Sequence, residues 1–579
     1  MSRDRFLAVV ADGDAPTDDI EKIVKAGRRH GLAPALRRNR LCVLVHENAV
    51  STLTDDSAGV IIGAAFPAHC GGSSGNARPE GYCRNSDAHA DLWGGFVAFR
   101  IDSPHDAVEV TRDPSGMMPC FIAQRCCATW LFSDLEIAIA LGLGVPEIDW
   151  TALARFLASP YIPVRETCLA GVEQLLPGMR LHMSRSEPPT LESAWSPWDH
   201  VGKDRRIRRY DDAVRMVRSE TMNCVGAWAS RSRQVMLELS GGLDSSIIAA
   251  CLRAHGASFS CVTFATGDPA GDERRHARLV ASGLGARLLE VQLDHTDASL
   301  LPRIQTLTPV PQAVPWRQII DEAVSGAIEE AGADALFSGG GGDNVFCYLT
   351  TAAPAADALR AFGPGPRFAR AVGDVARLHR ASVWRAARYA VRKALWARPN
   401  LWPSSDAFLA PGAVPAAPPA HPWFAKARGA PPGKVEHAAS IASAASVSHG
   451  GERNLPAPLY YPLLSQPLIE LCLMIPTWMW VVGGRNRAVA RDAFADILPP
   501  ETIGRRAKGD LTGLIAEIYR TQRRDIEMVL MEGRLAREGI LDREAVSARM
   551  QSADPFHDAG FTQLVMLAAV EGWIQSFAA

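Results

Sequence analysis

Hydrophobic positions fall into two rhythms along the chain. Up to residue 185 they come in short runs, LCVLVHE, GVIIGAAF, GGFVAFRID, AVEVTRD, CFIAQ and TWLFS, separated by turn residues. That pattern predicts a sheet-rich α+β part. Residues 186–208, SEPPTLESAWSPWDHVGKDRRIR, carry prolines, serines and charge and read as a linker. From 209 onward strand-like and helix-like segments alternate. A strand over 234–239 leads through a glycine loop into an apolar helix. FSCVTFAT reads as a strand, DERRHARLVASGLG as a helix with a glycine stop, and ARLLEVQL as a strand. PWRQIIDEAVSGAIEEAG is a helix with Pro315 near its first turn, and DALFSGGGGD is a strand entering a second glycine loop. The alternation predicts a parallel sheet wound with helices, with ligands beyond the carboxyl ends of the strands. Residues 352–448 break the rhythm with an Ala/Pro-rich piece, a basic helical run and APGAVPAAPPAHP, which reads as a surface loop. Residues 455–579 read as a helical closing portion.

Composition narrows the classes. The chain of 579 residues is 47% hydrophobic, enough for several cores. Its net charge of −2 gives no global pull toward nucleic acid or membrane, so neither is expected as a partner. The apolar run Phe6–Val10 is too short for a signal peptide. LIELCLMIPTWMWVVGG is interrupted by Glu470 and Pro476 and falls short of a membrane span. Twelve scattered cysteines with no Cys-x-x-Cys pair suit reduced thiols and a cytoplasmic setting. Locally the balance differs. Segment 357–398 has ten Lys/Arg against two acids. It reads as a solvated helix face or as a docking surface for a leader peptide or a partner protease.

Chemistry concentrates in the two glycine loops. In the first, Ser240, Gly241, Gly242, Leu243, Asp244, Ser245 and Ser246 connect strand to helix. Bare glycine backbone, hydroxyl donors and a helix N-terminus together form an anion site. No Gly-Lys-Ser/Thr ending follows, so this is not a Walker loop. A carboxylate beside polyphosphate needs a cation between them, which makes Asp244 a Mg²⁺ ligand. The second loop, FSGGGGDNVF, repeats the design with Gly339, Gly340 and Asp343. Two such loops can grip one Mg²⁺–phosphate group from two sides.

The first loop resembles the pyrophosphate loop of the N-type ATP pyrophosphatases, which cleave ATP between its α and β phosphates and activate a carboxylate as its adenylate. The resemblance extends to the asparagine synthetases. TFATGDPAGDERRHARLVASGLGARLLEV, with Asp272-Glu273 opening its helix, looks like their segment after the loop. YYPLLSQPLIELCLMIPTWMWVVGGRNRAVARDAFADILPPETIGRRAKGD resembles their C-terminal block. DLWGGFVAFRID, VTRDPSGMMPCFIA and YIPVRETCLAGVEQLLPGMRL follow the landmarks of their glutamine-hydrolysing domain in order. The resemblance implies a degenerate class II amidotransferase-like (Ntn-type) sheet domain over 1–185 and the linker over 186–208. An ATP-pyrophosphatase domain then follows over 209–579, with a parallel sheet, a helical C-terminal portion and an insertion near 352–448.

Departures from the family refine the expected reaction. A glutaminase of this type has a cysteine after Met1; here the chain reads Ser2-Arg3-Asp4, and the Asn-Gly-Glu-type glutamine-binding motif is missing. Gly340 and Asn344 stand where the family has acids. Two branches dispense with glutamine and use an amine on the substrate: the β-lactam synthetases and the lasso-peptide cyclases, or lasso macrolactam synthetases. YPLLSQPLIELCL and RRAKGDLTG look most like the cyclases. The resemblance then implies ATP and Mg²⁺ as cofactors and a precursor peptide as substrate. The peptide's Asp or Glu carboxyl is adenylated and then attacked by its N-terminal amine. Lys508 falls at the lysine of the family's Arg-x-x-Lys-Gly motif and would stabilise transition-state charge. Arg487 and Arg491 would support phosphate. Tyr348 and Glu452 lie in the regions of a Tyr/Glu pair that assists deprotonation in β-lactam synthetases. A small-molecule amide or β-lactam synthetase and a non-catalytic nucleotide-binding scaffold are the alternatives.

Overall fold

The computed structural model describes residues 5–11, 17–38, 40–54, 57–68, 92–102, 107–160, 162–266, 271–293, 306–311, 317–396, 402, 404–415, 420–448, 455–506, 509, 512–552 and 560–577. The N-terminal part is two six-stranded antiparallel sheets packed face to face. In spatial order the first holds Val172–Gln174, Phe121–Arg125, Ala128–Phe132, Phe6–Ala11, Leu41–His46 and Leu32–Arg38. The second holds Thr190–Ser193, Met179–Met183, Ala107–Arg112, Leu92–Asp102, Gly59–Pro67 and Ser51–Leu53. Strand alternation decides which side chains meet. Phe6, Ala8, Val10 and Val43 face Val60, Val97, Phe99 and Val110 in the core between the sheets. Leu7, Val9 and Leu44 turn the other way and join a cluster with Val24 of the helix Thr17–Arg29. The apolar run near the N-terminus is therefore a strand covered on both faces.

The Arg-Asp-Pro-x-Gly landmark is structural here. The buried Arg112 guanidinium donates to the carbonyls of Met118 (2.7 Å), Leu175 (2.5 Å) and Gly116 (3.1 Å). Asp113 accepts from the backbone N–H groups of Phe96 (3.0 Å) and Ser115 (2.8 Å). Burial pushes the Asp113 carboxyl up to about 6 and the Arg112 guanidinium down to about 10.

The second part is built on a five-stranded parallel sheet in the order Arg287–Gln292, Phe259–Ala265, Val235–Glu238, Ala335–Phe337, Leu459–Tyr460. Val235 and Leu237 face a cluster with Ile247, Ile248 and Trp228, while Met236 faces Val324, Ala327 and Ile328 of the helix Arg317–Ala331. The predicted strands and the glycine stop of the helix Arg274–Leu284 are present; Gly285 has φ 63°. From the strand Val235–Glu238 the chain first moves outward to one edge, then returns to the other side with Ala335–Phe337. The strand order thus reverses between these two neighbours, and both glycine loops leave from that switch point.

Two stretches hold more structure than their composition suggested. Within 186–208, read as a linker, Thr190–Ser193 is the edge strand of the second antiparallel sheet. The Trp195 indole there donates to Glu470 at 2.8 Å. The stretch read as a surface loop ends in a packed cluster: His421 and Trp423 are buried against Trp195 and Trp402. Aromatic rings outweigh the prolines there. Within 352–448 the helices Ala353–Phe362, Pro366–Leu378 and Val383–Leu395 pack on one another, and the helix Pro432–Ser448 sends Ile441 and Ala442 into the main core. Among the described residues no single helix is long and apolar enough to cross a membrane.

Candidate active site

The first loop leaves the central strand and enters the helix Leu243–Ala254, which is buried from Leu243 to Leu252, where beyond the first turn its residues are all apolar. Gly241 turns the chain at φ 66°, and a Cβ there would lie 2.4 Å from the His276 backbone. Only glycine fits under the helix Arg274–Leu284 at this point. Ser240 Oγ accepts from the Gly242 N–H (3.2 Å) and lies 3.3 Å from Ser245 Oγ; Ser246 Oγ donates to the Gly242 carbonyl at 2.6 Å. Gly242 is the N-cap and no side chain caps the helix, so its first N–H groups are open to an anion.

The second loop lies against the first. A Cβ on Gly339 would be 2.8 Å from the Ser245 nitrogen, and one on Gly342 would be 2.5 Å from Asp244 Cγ. This close approach brings Asp244 and Asp343 together. Both carboxylates face one atom, Nη1 of Arg487: it lies 2.9 and 2.8 Å from the Asp244 oxygens and is ion-paired with Asp343 Oδ1. Arg487 reaches them from the N-cap of the helix Ala488–Ala493, held at φ 51°, outside the ordinary helical range for a non-glycine residue. Its guanidinium also stands 5.5 Å over the Tyr348 ring. Of the residues picked out from the sequence, Ser240 through Ser246, Gly339, Asp343, Tyr348 and Arg487 are therefore gathered at one place.

The two carboxylates converge on a point that a cation already fills. Mg²⁺ is commonly held by one or two carboxylates plus substrate phosphates, so the pair fits that ion. No group of three or more His, Cys, Asp or Glu forms a metal cluster among the described residues. The metal would then be shared with the nucleotide and not caged by protein.

Arg491 takes a different role from phosphate support. It is buried and donates to Asn486, to the Ile503 carbonyl and to the Arg505 carbonyl (3.0 Å). Burial, then the neighbouring Arg487, lowers it to about 10. It fixes the turn that presents Arg487 and ties it to the 503–505 segment. Lys508 and Glu452 lie outside the described residues. The residues flanking Lys508 are anchored at the site: Arg505 donates to the Ser240 carbonyl (3.1 Å) and to Glu273 (2.9 Å), and the Gly509 N–H donates to the same Glu273 oxygen (3.1 Å). Glu273 is thus a site residue that local reading had only placed at a helix start. Its neighbour Asp272 pairs with Arg274 instead (2.7 Å).

Gly340 and Asn344, the departures from the family's acids, have a geometric account. A Cβ on Gly340 would sit 2.7 Å from the Tyr461 ring, so an acid there has no room. Asn344 donates to the Ser440 carbonyl (2.8 Å) and hydroxyl (2.9 Å), tying the loop to the helix Pro432–Ser448. Beside this loop opens a cavity of about 440 Å³, bounded by Ser338, Gly340, Asn344 and Tyr461 on one side and by Arg317, Trp402 and Ser159–Pro160 on the other. Arg317 and Trp402 had no motif to mark them, whereas Tyr461 opens the quoted stretch YPLLSQPLIELCL.

Comparison with known proteins agrees with this geometry. The asparagine synthase family model matches residues 216–437 and 458–575, more than half of the chain. No curated protein matches. Among solved structures, glutamine phosphoribosylpyrophosphate amidotransferase from B. subtilis, complexed with ADP and GMP, aligns at 11% identity over 58% of this chain and 90% of that one, with a TM-score of 0.21. An allosteric regulatory enzyme of purine biosynthesis aligns at 11% identity over 58% and 89%, also with a TM-score of 0.21. Likeness that weak carries no argument. The family match does: the chain belongs to the asparagine synthase family, whose general chemistry is ATP-dependent amide-bond formation.

Proposed function

We propose that this protein closes a macrolactam ring in a ribosomally made lasso-type peptide, using ATP and releasing AMP and pyrophosphate. The observation that carries the reading is the contact of the two glycine loops, with Asp244 and Asp343 drawn onto a single cation position. The sequence forms YPLLSQPLIELCL and RRAKGDLTG, which look most like the lasso cyclases, support the peptide assignment, as does the missing glutamine-binding motif.

The chain's residues divide the work. Ser240–Ser246 bind the β and γ phosphates through backbone N–H groups and the open end of the helix Leu243–Ala254. Mg²⁺ held by Asp244 and Asp343 would neutralise charge between carboxylates and phosphates. A substrate Asp or Glu carboxylate attacks the α-phosphate, and the acyl-adenylate so formed is attacked by the peptide's N-terminal amine. Lys508 stabilises charge that grows on the phosphate and carbonyl oxygens. An α-amine titrates at about 7.7–8.0, so the attacking amine is partly neutral near physiological pH and needs little base assistance. Holding both ends of one peptide supplies the larger part, roughly 7–11 kcal/mol where orientation is good. Walls such as Trp402 and Tyr461 would keep water from the adenylate.

The second reading, a small-molecule amide or β-lactam synthetase, is favoured by the size of the cavity, about 440 Å³, which suits a small ligand. ATP–pyrophosphate exchange separates the two. A candidate precursor core should stimulate exchange and, with ATP, lose one water by mass spectrometry while AMP appears. Stimulation by aspartate or a small β-amino acid, with none by peptides, would overturn the macrolactam reading.

A further inference from the structure

Glu273 makes contacts that its place in the chain does not call for. It is the N-cap of the helix Arg274–Leu284, where an acid ordinarily serves the open N–H groups of its own helix, yet its side chain makes no cap hydrogen bond. The neighbouring Asp272 serves the helix start instead, accepting from the Arg274 N–H at 3.0 Å. Glu273 turns toward a segment far along the chain. One of its oxygens, Oε1, accepts both from Arg505 Nη2 (2.9 Å) and from the Gly509 N–H (3.1 Å). The approach is close: a Cβ on Gly509 would lie 2.6 Å from Glu273 Cγ, so a side chain there would push the carboxylate away.

Arg505 is fixed in turn. Its Nη1 donates to the carbonyl of Ser240, where the first glycine loop begins, and its own carbonyl accepts from Arg491 (3.0 Å). The side chains of Arg505 and Glu273 are 11% and 17% exposed, so water does little to replace their pairing. A single carboxylate oxygen thus gathers both ends of the stretch 505–509 and, through Arg505, joins them to the first loop. Gly509 is bonded directly to Lys508 in the chain. A group that stabilises charge in a transition state has to be held within about 0.5 Å, and hydrogen bonds behind it supply that precision.

We infer that Glu273 is a positioning residue for the reaction. It acts through Lys508, by fixing Arg505 and Gly509 against the first glycine loop. The inference rests on the reading that gives Lys508 its charge-stabilising role. It adds that this role depends on one carboxylate from a different helix.

ATP–pyrophosphate exchange by the full chain tests this, using whichever of the candidate precursor core and aspartate stimulates the wild type. Glu273→Ala should lower kcat by about tenfold or more, since about 1 Å of misplacement can cost about 10²-fold. KM for ATP should stay within about twofold of the wild type. A merely structural role would instead lower Tm and the number of ATP sites counted by calorimetry, with kcat per site unchanged. Glu273→Gln should recover most of the loss, because its amide oxygen still accepts from Arg505 and Gly509. Once the lysine is gone the carboxylate has nothing left to position, so Glu273→Ala/Lys508→Ala should be no slower than Lys508→Ala. Gly509→Ala presses a methyl carbon against the same carboxylate and gives the same readout if Glu273→Ala fails to fold. Wild-type kcat per site in folded Glu273→Ala or Gly509→Ala, beside an impaired Lys508→Ala, overturns the inference alone. So does a Glu273→Gln variant no better than Glu273→Ala, or losses that multiply in the double variant. An unimpaired Lys508→Ala, or no exchange with either substrate, overturns the reading of Lys508 and the inference with it.

Discussion

Arg487→Gln is the most direct probe of the site. The side chain is 12% exposed and its Nη1 serves two carboxylates, Asp244 at 11% and Asp343 at 33% side-chain exposure. Removing one member of a buried ion cluster costs about 3–5 kcal/mol, because the remaining buried charges lose that member's compensation. Water reaches Asp343, so screening lowers that figure, and a loss of about 2–3 kcal/mol in the ligand-free protein is expected. In a domain of this size that corresponds to a fall of roughly 5 °C in Tm. The sign should reverse with metal. A divalent ion and Arg487 address the same oxygens, so the variant should bind Mn²⁺ without nucleotide more tightly than the wild type, read by electron paramagnetic resonance. Mg²⁺ alone should recover most of its lost Tm by mass action. Asp244→Asn added to Arg487→Gln should relieve the carboxylate repulsion and abolish the metal effect, giving a coupling free energy well away from additivity. The reasoning fails if Arg487→Gln melts like the wild type and its Tm does not respond to Mg²⁺.

Other expected outcomes test separate parts of the account. Lys508→Ala should lower the rate of product formation by about 10²–10³, the usual loss for a preorganised charge-stabilising group, with the Tm unchanged. Gly342→Ala places a methyl carbon 2.5 Å from Asp244 Cγ and should weaken ATP binding at least tenfold by calorimetry, while Gly283→Ala, where nothing lies within 4 Å, should not. His437, buried with Nε2 3.0 Å from the Val345 carbonyl behind the second loop, is pushed down to about 3 by burial and then by Lys434. The unfolded chain binds that proton near 6.5, so between about 6.5 and 3 the unfolded state holds more protons and stability falls as pH falls. From pH 7 to 5 this contribution is about 2 kcal/mol, and His437→Gln should show a correspondingly flatter decline in Tm over that range.

Much of the fold was legible because its signals are local. The strands Val235–Glu238, Phe259–Ala265 and Arg287–Gln292, and both glycine loops, are each written in a dozen consecutive residues. What stayed hidden is non-local or compositionally disguised. The strand Thr190–Ser193 has a single apolar residue, Leu191, because it lies at a sheet edge with little to bury, and so it passed for linker. The strand Leu459–Tyr460 is two residues long and exists only by pairing with Ala335–Phe337. Glu273 acquires its role from Arg505, 232 positions away, a contact no periodicity announces.

The same distinction bears on why the first loop does without a lysine. A Walker loop carries its cation beside its own glycines, where it can follow the phosphate being transferred. Here the cation beside Asp244 arrives from 243 residues away, on a residue held at φ 51° by the turn that Arg491 anchors. A cation mounted on a separate element can be withdrawn from the carboxylates without disturbing the glycine loop itself. That separation suits a reaction in which the loop keeps the leaving group while the metal and the substrate carboxyl change partners. An acid at Gly340 would meet Tyr461, which fills that space, and would add charge beside Asp244, Asp343 and Arg487. Enlarging the space with Tyr461→Ala and then introducing Gly340→Glu should therefore restore packing and still leave exchange activity below wild type, because a third carboxylate would add negative charge beside Asp244 and Asp343. Activity equal to the wild type in that double variant would show that steric fit alone excludes the acid.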